Sequence, residues 1–135
     1  MLRLHHINLS SSVVPQMDVF YRTVVGLDPS ADGAAANRLS VPGGYSAPVS
    51  FFKSADIEFH VATRDLDLNF RLDQAVNPLV NGHIAFRTDD INAVKRHLEA
   101  NGVKYSDYGV WSINNWHQIF FLDPAGNVIE VHQVV

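Results

Sequence analysis

The chain has 135 residues, of which 47% are apolar and 18% charged, with a formal net charge of −4 and no cysteine. Such a length holds one compact domain that buries most of its apolar surface unaided, and the composition is too rich in hydrophobes for a disordered chain. A negative balance without any Lys or Arg run excludes the positive field that nucleic acid or an anionic membrane demands, and the lack of cysteine excludes disulfides, thiolate metal sites and a thiol nucleophile. No segment approaches the ~18 consecutive apolar residues of a membrane span, and the N-terminal residues carry no signal-peptide core, so a cytoplasmic location is expected.

In chain order, Leu4-His5-His6-Ile7-Asn8-Leu9 alternates in polarity as a half-buried strand does. Ser10-Ser11-Ser12 offers N-cap hydroxyls to a following helix, with Pro15 in its first turn. Met17, Phe20, Tyr21 and Val24 recur at helical spacing until Gly26. Residues 28–36, rich in Ala, Asp and Gly, read as a loop. Strands are expected at Arg38-Leu39-Ser40-Val41, Val49-Ser50-Phe51-Phe52 and Ile57-Glu58-Phe59-His60-Val61, separated by Gly43-Gly44 and Ser54-Ala55-Asp56.

From Gly82 the order begins again. His83-Ile84-Ala85-Phe86 is strand-like, and Asp89-Asp90 caps a helix carrying Ile91, Val94 and Leu98 that Asn101-Gly102 ends. Further strands are expected at Val103-Lys104-Tyr105, His117-Gln118-Ile119-Phe120-Phe121 and Val128-Ile129-Glu130-Val131, the last two joined through Asp123-Pro124-Ala125-Gly126-Asn127. The order β, α, β, β, β thus occurs twice, which divides a single domain of residues 1–135 into module one (1–65), a linker (66–81) and module two (82–135). Short likenesses support a duplication: His6-Ile7-Asn8-Leu9 against His83-Ile84-Ala85-Phe86, and Ile57-Glu58-Phe59-His60 against Ile129-Glu130-Val131-His132.

In the strands that open and close each half, Ile7 and Leu9, Ile84 and Phe86, Phe59 and Val61, and Ile129 and Val131 form an apolar phase expected to pack under the helices. Side chains alternate across a strand, so the other phase carries His6 and Asn8, His83 and Ala85, Glu58 and His60, Glu130 and His132. One such residue alone is what any half-buried sheet turns to water. Imidazole or carboxylate in that phase of all four strands points instead to a divalent cation held without thiolates, as Zn, Ni, Co, Mn or Fe(II) allow.

The chain resembles the vicinal-oxygen-chelate superfamily of glyoxalases, bleomycin-resistance proteins and dioxygenases. The resemblance rests on His5-His6-Ile7, on Asp18-Val19-Phe20-Tyr21 leading to Val25-Gly26-Leu27, on Gly82-His83-Ile84-Ala85-Phe86, and on the segment from Phe120 through Asp123-Pro124-Ala125-Gly126-Asn127 to Glu130. It implies an α+β glyoxalase-like fold: two βαβββ modules forming curled mixed sheets around a metal-site cleft. By the same resemblance His6, His83 and Glu130 are divalent-metal ligands and the protein is a homodimer; the catalytic carboxylate would be Glu130 or Glu58, and Glu130 is the choice taken. His5, in the opposite phase, is expected to be structural. For a fourth ligand, matching Ile57-Glu58 to Ile129-Glu130 favours Glu58. Counting back to Phe51, as Glu130 counts back to Phe120, favours His60, and His60 is the choice taken.

Further candidates for the pocket wall are Asn8, Tyr45, Tyr105, Tyr108, Trp116, His117 and Gln118, although core or dimer packing is the simpler reading of the aromatics. The run Trp111-Ser112-Ile113-Asn114-Asn115-Trp116-His117 could cover a small ligand, and Arg22 and Arg38 could meet an anion but suit solvated surface better. The function implied is a metal-dependent enzyme, a glyoxalase-like lyase or isomerase or else a dioxygenase, acting on a small oxygenated substrate that chelates the ion. The alternative is a bleomycin-resistance type of protein that sequesters a small molecule without metal. No basic residue set suits glutathione or a phosphonate.

Overall fold

The computed structural model describes residues 1–29 and 47–135. Its strands are β1 (Arg3–Ser11), β2 (Asp28–Pro29), β3 (Val49–Ser54), β4 (Ile57–Thr63), β5 (Gly82–Arg87), β6 (Tyr105–Val110), β7 (Trp116–Leu122) and β8 (Val128–Val134). Its helices are α1 (Val14–Phe20), which runs on as a π-helical turn (Tyr21–Val25), α2 (Leu68–Arg71) and α3 (Ile91–Ala100). The strand expected at 38–41, with Arg38 and Tyr45, lies outside the described residues.

All these strands join one curled, unclosed mixed sheet in the order β2-β3-β4-β1-β5-β8-β7-β6, giving the expected α+β architecture. β1 runs parallel to β4, β5 runs parallel to β8, and the two pairs meet through an antiparallel β1–β5 seam. At the seam Ile7 faces Ile84, so the halves are related by a rotation about that pair. Gly82 closes the seam: its φ is +124°, and a Cβ there would lie 2.0 Å from the Asn8 carbonyl oxygen. Only glycine permits that approach.

Each half lays one helix on the outer face. Val14 of α1, with Met17 and Tyr21, packs on Phe52, Phe59 and Val61, while Ile91 and Leu98 of α3 pack on Ile119 and Val131. The ends of α3 follow its sequence, since the Asp90 carboxylate accepts from the Ala93 N–H at 2.9 Å and Gly102 takes a positive φ beyond the last turn. Such a cap contributes about 1 kcal/mol.

Four local expectations change. β1 continues through Ser11, so the N-cap of α1 is Val13 with no side-chain cap bond, and Ser11 Oγ instead accepts from the Val13 N–H at 3.0 Å. Asp28–Pro29 is a short strand against Lys53 and Phe52, in the edge position where a missing N–H is tolerated. The second strand of module two begins only at Tyr105, because the Val103 N–H closes α3 on the Leu98 carbonyl; that strand then runs through a bulge at Asp107/Gly109. The outer face is also less uniform than expected. The helices cover its flanks and leave Ile7 and Ile84 at the seam 38% and 41% exposed.

Candidate metal centre

The inward phase of the four central strands is buried, with His6 at 1%, Glu130 at 1% and His132 at 0% exposure. Polar side chains merely turned to water would not lie there. Linker residues Leu68, Val76 and Leu79 pack over this face with Trp111 and Phe120, and Ile113 and Trp116 pack with Phe51 beside them.

Three donor atoms converge beneath this roof. His83 Nε2 lies 3.0 Å from Glu130 Oε2 and 3.4 Å from His6 Nε2, and His6 Nε2 lies 3.6 Å from the same carboxylate oxygen. Hydrogen-bond partners on the far side of each residue fix what it presents. His83 Nδ1 is 3.0 Å from the Pro78 carbonyl, which can only accept, so that nitrogen carries a proton. His6 Nδ1 is 3.0 Å from His5 Nδ1, and Glu130 Oε1 is 2.8 Å from His132 Nδ1. The Arg87 Nε–H donates to His132 Nε2 at 3.0 Å, which places the His132 proton on Nδ1, where it is donated to Glu130. Both ring nitrogens of His132 are thereby engaged, which removes it as a ligand. With His6 Nδ1 donating to His5, lone pairs of His6, His83 and Glu130 are aimed at one another, an arrangement that calls for a cation: a proton on an imidazole, or an ion shared by all three. Ligand imidazoles in metal sites are oriented in this way by an acceptor behind the other ring nitrogen.

Electrostatics agree. Burial, reinforced by neighbouring His60, lowers the His6 pKa to about 3, so its imidazole is neutral at pH 7 and keeps a free lone pair. For Glu130, burial acts to raise the carboxyl pKa; positive charge on His6 and hydrogen bonding, led by His132, act against it and hold the group well below the usual carboxylate range. With His6 neutral at pH 7, the His132 Nδ1–H is the donor that steadies the carboxylate there. His5 is likewise lowered to about 3, chiefly by burial.

His5 departs from its expected orientation. The β1–β5 register slips between Leu4 and His6, and this bulge brings His5 onto the inner cluster, edge-on to Trp116 and His132 with centroids 5.1 and 4.8 Å away. The same registers define the positions of Glu58 and His60. Phe51 pairs with His60 as Phe120 pairs with Glu130, so His60 occupies the place in module one that Glu130 occupies in module two. Its ring stacks on His6 at 4.1 Å, and its Nε2 lies 2.7 Å from Glu58 Oε2. The likeness of Ile57-Glu58 to Ile129-Glu130 is therefore offset by two residues from the structural equivalence.

Of the other candidates, Trp111, Ser112, Asn8 and Gln118 line a cavity of about 30 Å³ with His60, His83 and Glu130. Trp116 stacks on His132 at 4.0 Å, and the Arg87 guanidinium lies over the Trp116 ring at 5.0 Å from its centroid, so Trp116 supports the centre from behind. Tyr108 donates to the Val76 carbonyl, while Tyr105 bonds Glu99 on the far side of the sheet. His117 also points outward, to Asp107 and Lys95, and Arg22 pairs with Asp18 on the surface. A wider cleft of about 610 Å³, walled by Ile7, Leu9 and Ile84 and by linker residues including Phe70 and Val76, shares Asn8 and His83 with the inner cavity. Sequence reasoning missed Arg87, although it shares the phase of His83 and Ala85, and missed the Pro78 carbonyl, for which no side-chain signal exists.

A repeated βαβββ sheet that buries a two-imidazole, one-carboxylate cluster defines a glyoxalase-like protein. The chain belongs to the Glyoxalase/Bleomycin resistance protein/Dioxygenase superfamily, whose family model matches residues 3–131. Methylmalonyl-CoA epimerase from Mycobacterium tuberculosis superposes with a TM-score of 0.68 at 14% identity, over 98% of this chain and 87% of that one. A superfamily member from Vibrio splendidus 12B01 gives 0.56 at 12% identity over 100% of both chains. The Mn(II)-bound glyoxalase from Novosphingobium aromaticivorans gives 0.60 at 19% identity, over 97% of this chain and 37% of that longer one. At these identities the likeness is one of fold. A comparison with curated proteins gives no match.

Proposed function

We propose that the protein is a divalent-metal-dependent enzyme of the lyase or isomerase type, acting on a small substrate with two adjacent oxygens. One observation carries this reading: three inward ligand atoms, on buried His6 and Glu130 and half-buried His83, converge within 4.8 Å of one another, each residue with a hydrogen-bond contact behind it. These three are assigned as ligands, with His60 in the fourth place and Glu58 as the carboxylate that orients it. An ion bound there would polarise the substrate oxygens and stabilise developing negative charge.

The protein's own groups supply the rest. Glu130 is ionised at neutral pH and is assigned to move a proton at the carbon next to a substrate carbonyl, with its second oxygen steadied by His132. Val49, Phe51, Ala62, Leu79 and Trp111 keep water from the reacting atoms. A cavity of about 30 Å³ with polar walls takes the oxygens of a substrate rather than the whole molecule; the dioxygenase reading would use the same ligands without calling on Glu130 as a base.

The test is the metal content of protein purified without chelator, in wild type and His83→Ala, followed by titration of the metal-free protein with Zn, Ni, Co, Mn and Fe(II). Near-stoichiometric metal that vanishes in the variant is expected. Failure of the wild type to take up any of these ions would overturn the proposal in favour of metal-free sequestration.

A further inference from the structure

Among the described residues, the amide oxygen of Gln118 is the buried side-chain atom that lacks a hydrogen-bond partner. Gln118 is 3% exposed and lines the same small cavity as His60, His83 and Glu130. Its polar neighbours are occupied elsewhere: Asn8 donates to Ser10 Oγ, His60 meets Glu58, His83 meets Pro78, and Glu130 meets His132. An unpaired buried acceptor destabilises a fold, so its presence in a site wall asks for a partner that arrives from outside.

The duplication provides an internal control. Phe51 opposite His60 is equivalent to Phe120 opposite Glu130, and two residues earlier on each strand stand Val49 and Gln118. Both line the cavity. Module one fills the position with an apolar side chain, so packing there does not require an amide.

We propose that Gln118 is a specificity-determining residue that accepts a hydrogen bond from a hydroxyl on the ligand, selecting 2-hydroxy acids and 2-hydroxy carbonyl compounds over their 2-oxo counterparts. The proposal rests on the metal-centre reading above. A ligand hydroxyl can direct an oxygen lone pair at a cation while its hydrogen points to the Gln118 oxygen. A ketone oxygen in that place would meet the amide oxygen lone pair to lone pair. The cavity of about 30 Å³ takes roughly two water-sized groups, which suits two adjacent oxygens. Sites built to pair a hydroxyl discriminate strongly against analogues without it, because their own polar group is then left unpaired.

The probes are lactate and pyruvate, which share a skeleton and differ by the hydroxyl. Their binding to protein loaded with the ion it takes up is measured by titration calorimetry, in wild type, Gln118→Val and Gln118→Met. In wild type lactate is expected to bind at least about tenfold more tightly than pyruvate. Both variants are expected to keep ion affinity and pyruvate affinity, to lose the preference, and to melt, metal-free, at or above the wild-type temperature. Equal binding of the two acids, preference for pyruvate, binding of neither, a preference retained in the variants, or a lower melting temperature in both variants would each overturn the assignment while leaving the metal centre in place. Failure of every ion to bind wild type would instead overturn the metal-centre reading, and this inference with it.

Discussion

Replacing Glu130 by glutamine should reverse its effect on stability according to whether an ion is bound. In the metal-free protein Glu130 Oε2 stands 3.0 Å from His83 Nε2 and 3.6 Å from His6 Nε2, acceptor facing acceptor. A glutamine keeps the bond from His132 through its carbonyl oxygen and puts an NH2 group where Oε2 was, so the 3.0 Å contact with His83 becomes donor to acceptor, while His6 at 3.6 Å stays beyond hydrogen-bond reach. With one hydrogen bond gained, E130Q should stabilise the metal-free protein by about 0.5–1.5 kcal/mol. With an ion at a hundred times its Kd, wild type gains about 2.7 kcal/mol by mass action, whereas loss of the charged ligand should remove most of that gain. For a chain of this size a kilocalorie shifts the midpoint by roughly 3–5 °C, so thermal melts with and without ion should cross. A lower metal-free midpoint in E130Q, or equal ion-induced shifts in both proteins, would refute the reasoning.

Acid should destabilise the metal-free fold through His6. Its folded pKa of about 3 lies below the unfolded value, so its contribution is intact above about pH 6.5 and is lost as pH falls from there toward 3, at up to about 1.4 kcal/mol per pH unit. Urea melts from pH 7 to pH 4.5 should therefore show a shallower slope in His6→Gln, and identical slopes would count against a neutral buried imidazole. Replacing Arg87 by methionine frees His132 Nε2 and lets the ring stop donating to Glu130. Calorimetry should show ion binding weakened about 10- to 100-fold, and an unchanged Kd would show that the tautomer is fixed by something else. Gly82→Ala should destabilise the protein by more than about 3 kcal/mol because its Cβ collides with the Asn8 carbonyl; Gly126→Ala, where a Cβ meets nothing within 4 Å, should lose only about 1 kcal/mol. Comparable thermal shifts in the two variants would remove the collision as the cause.

Much of this was legible because the repeat is written in periodic terms. Period-two alternation identified the inward phase, and the Asp90 cap and Asn101-Gly102 stop bounded α3. The count from Phe51 to His60 anticipated the register that pairs them. What was hidden has physical causes. An extra residue in β1 breaks alternation, so His5 could not be assigned to its face by parity. A polar, glycine-containing strand such as Tyr105–Val110 looks like a loop until pairing with β7 satisfies its backbone. The Pro78 carbonyl that orients His83 belongs to the backbone of the linker, and no side-chain pattern encodes where a carbonyl points.

The β1–β5 seam has a further meaning for how the molecule opens. His6 stands on one side of it, and His83 and Glu130 stand on the other. Any cation held by all three spans the boundary between the repeated halves, and its binding free energy opposes their separation. Amide hydrogens along the seam, around Ile7 and Ile84, should then exchange with solvent at a rate set by ion occupancy, and release of the ion should be gated by the opening that exposes those amides. The exchange rate of a backbone proton would in that way serve as a clock for the residence of the metal.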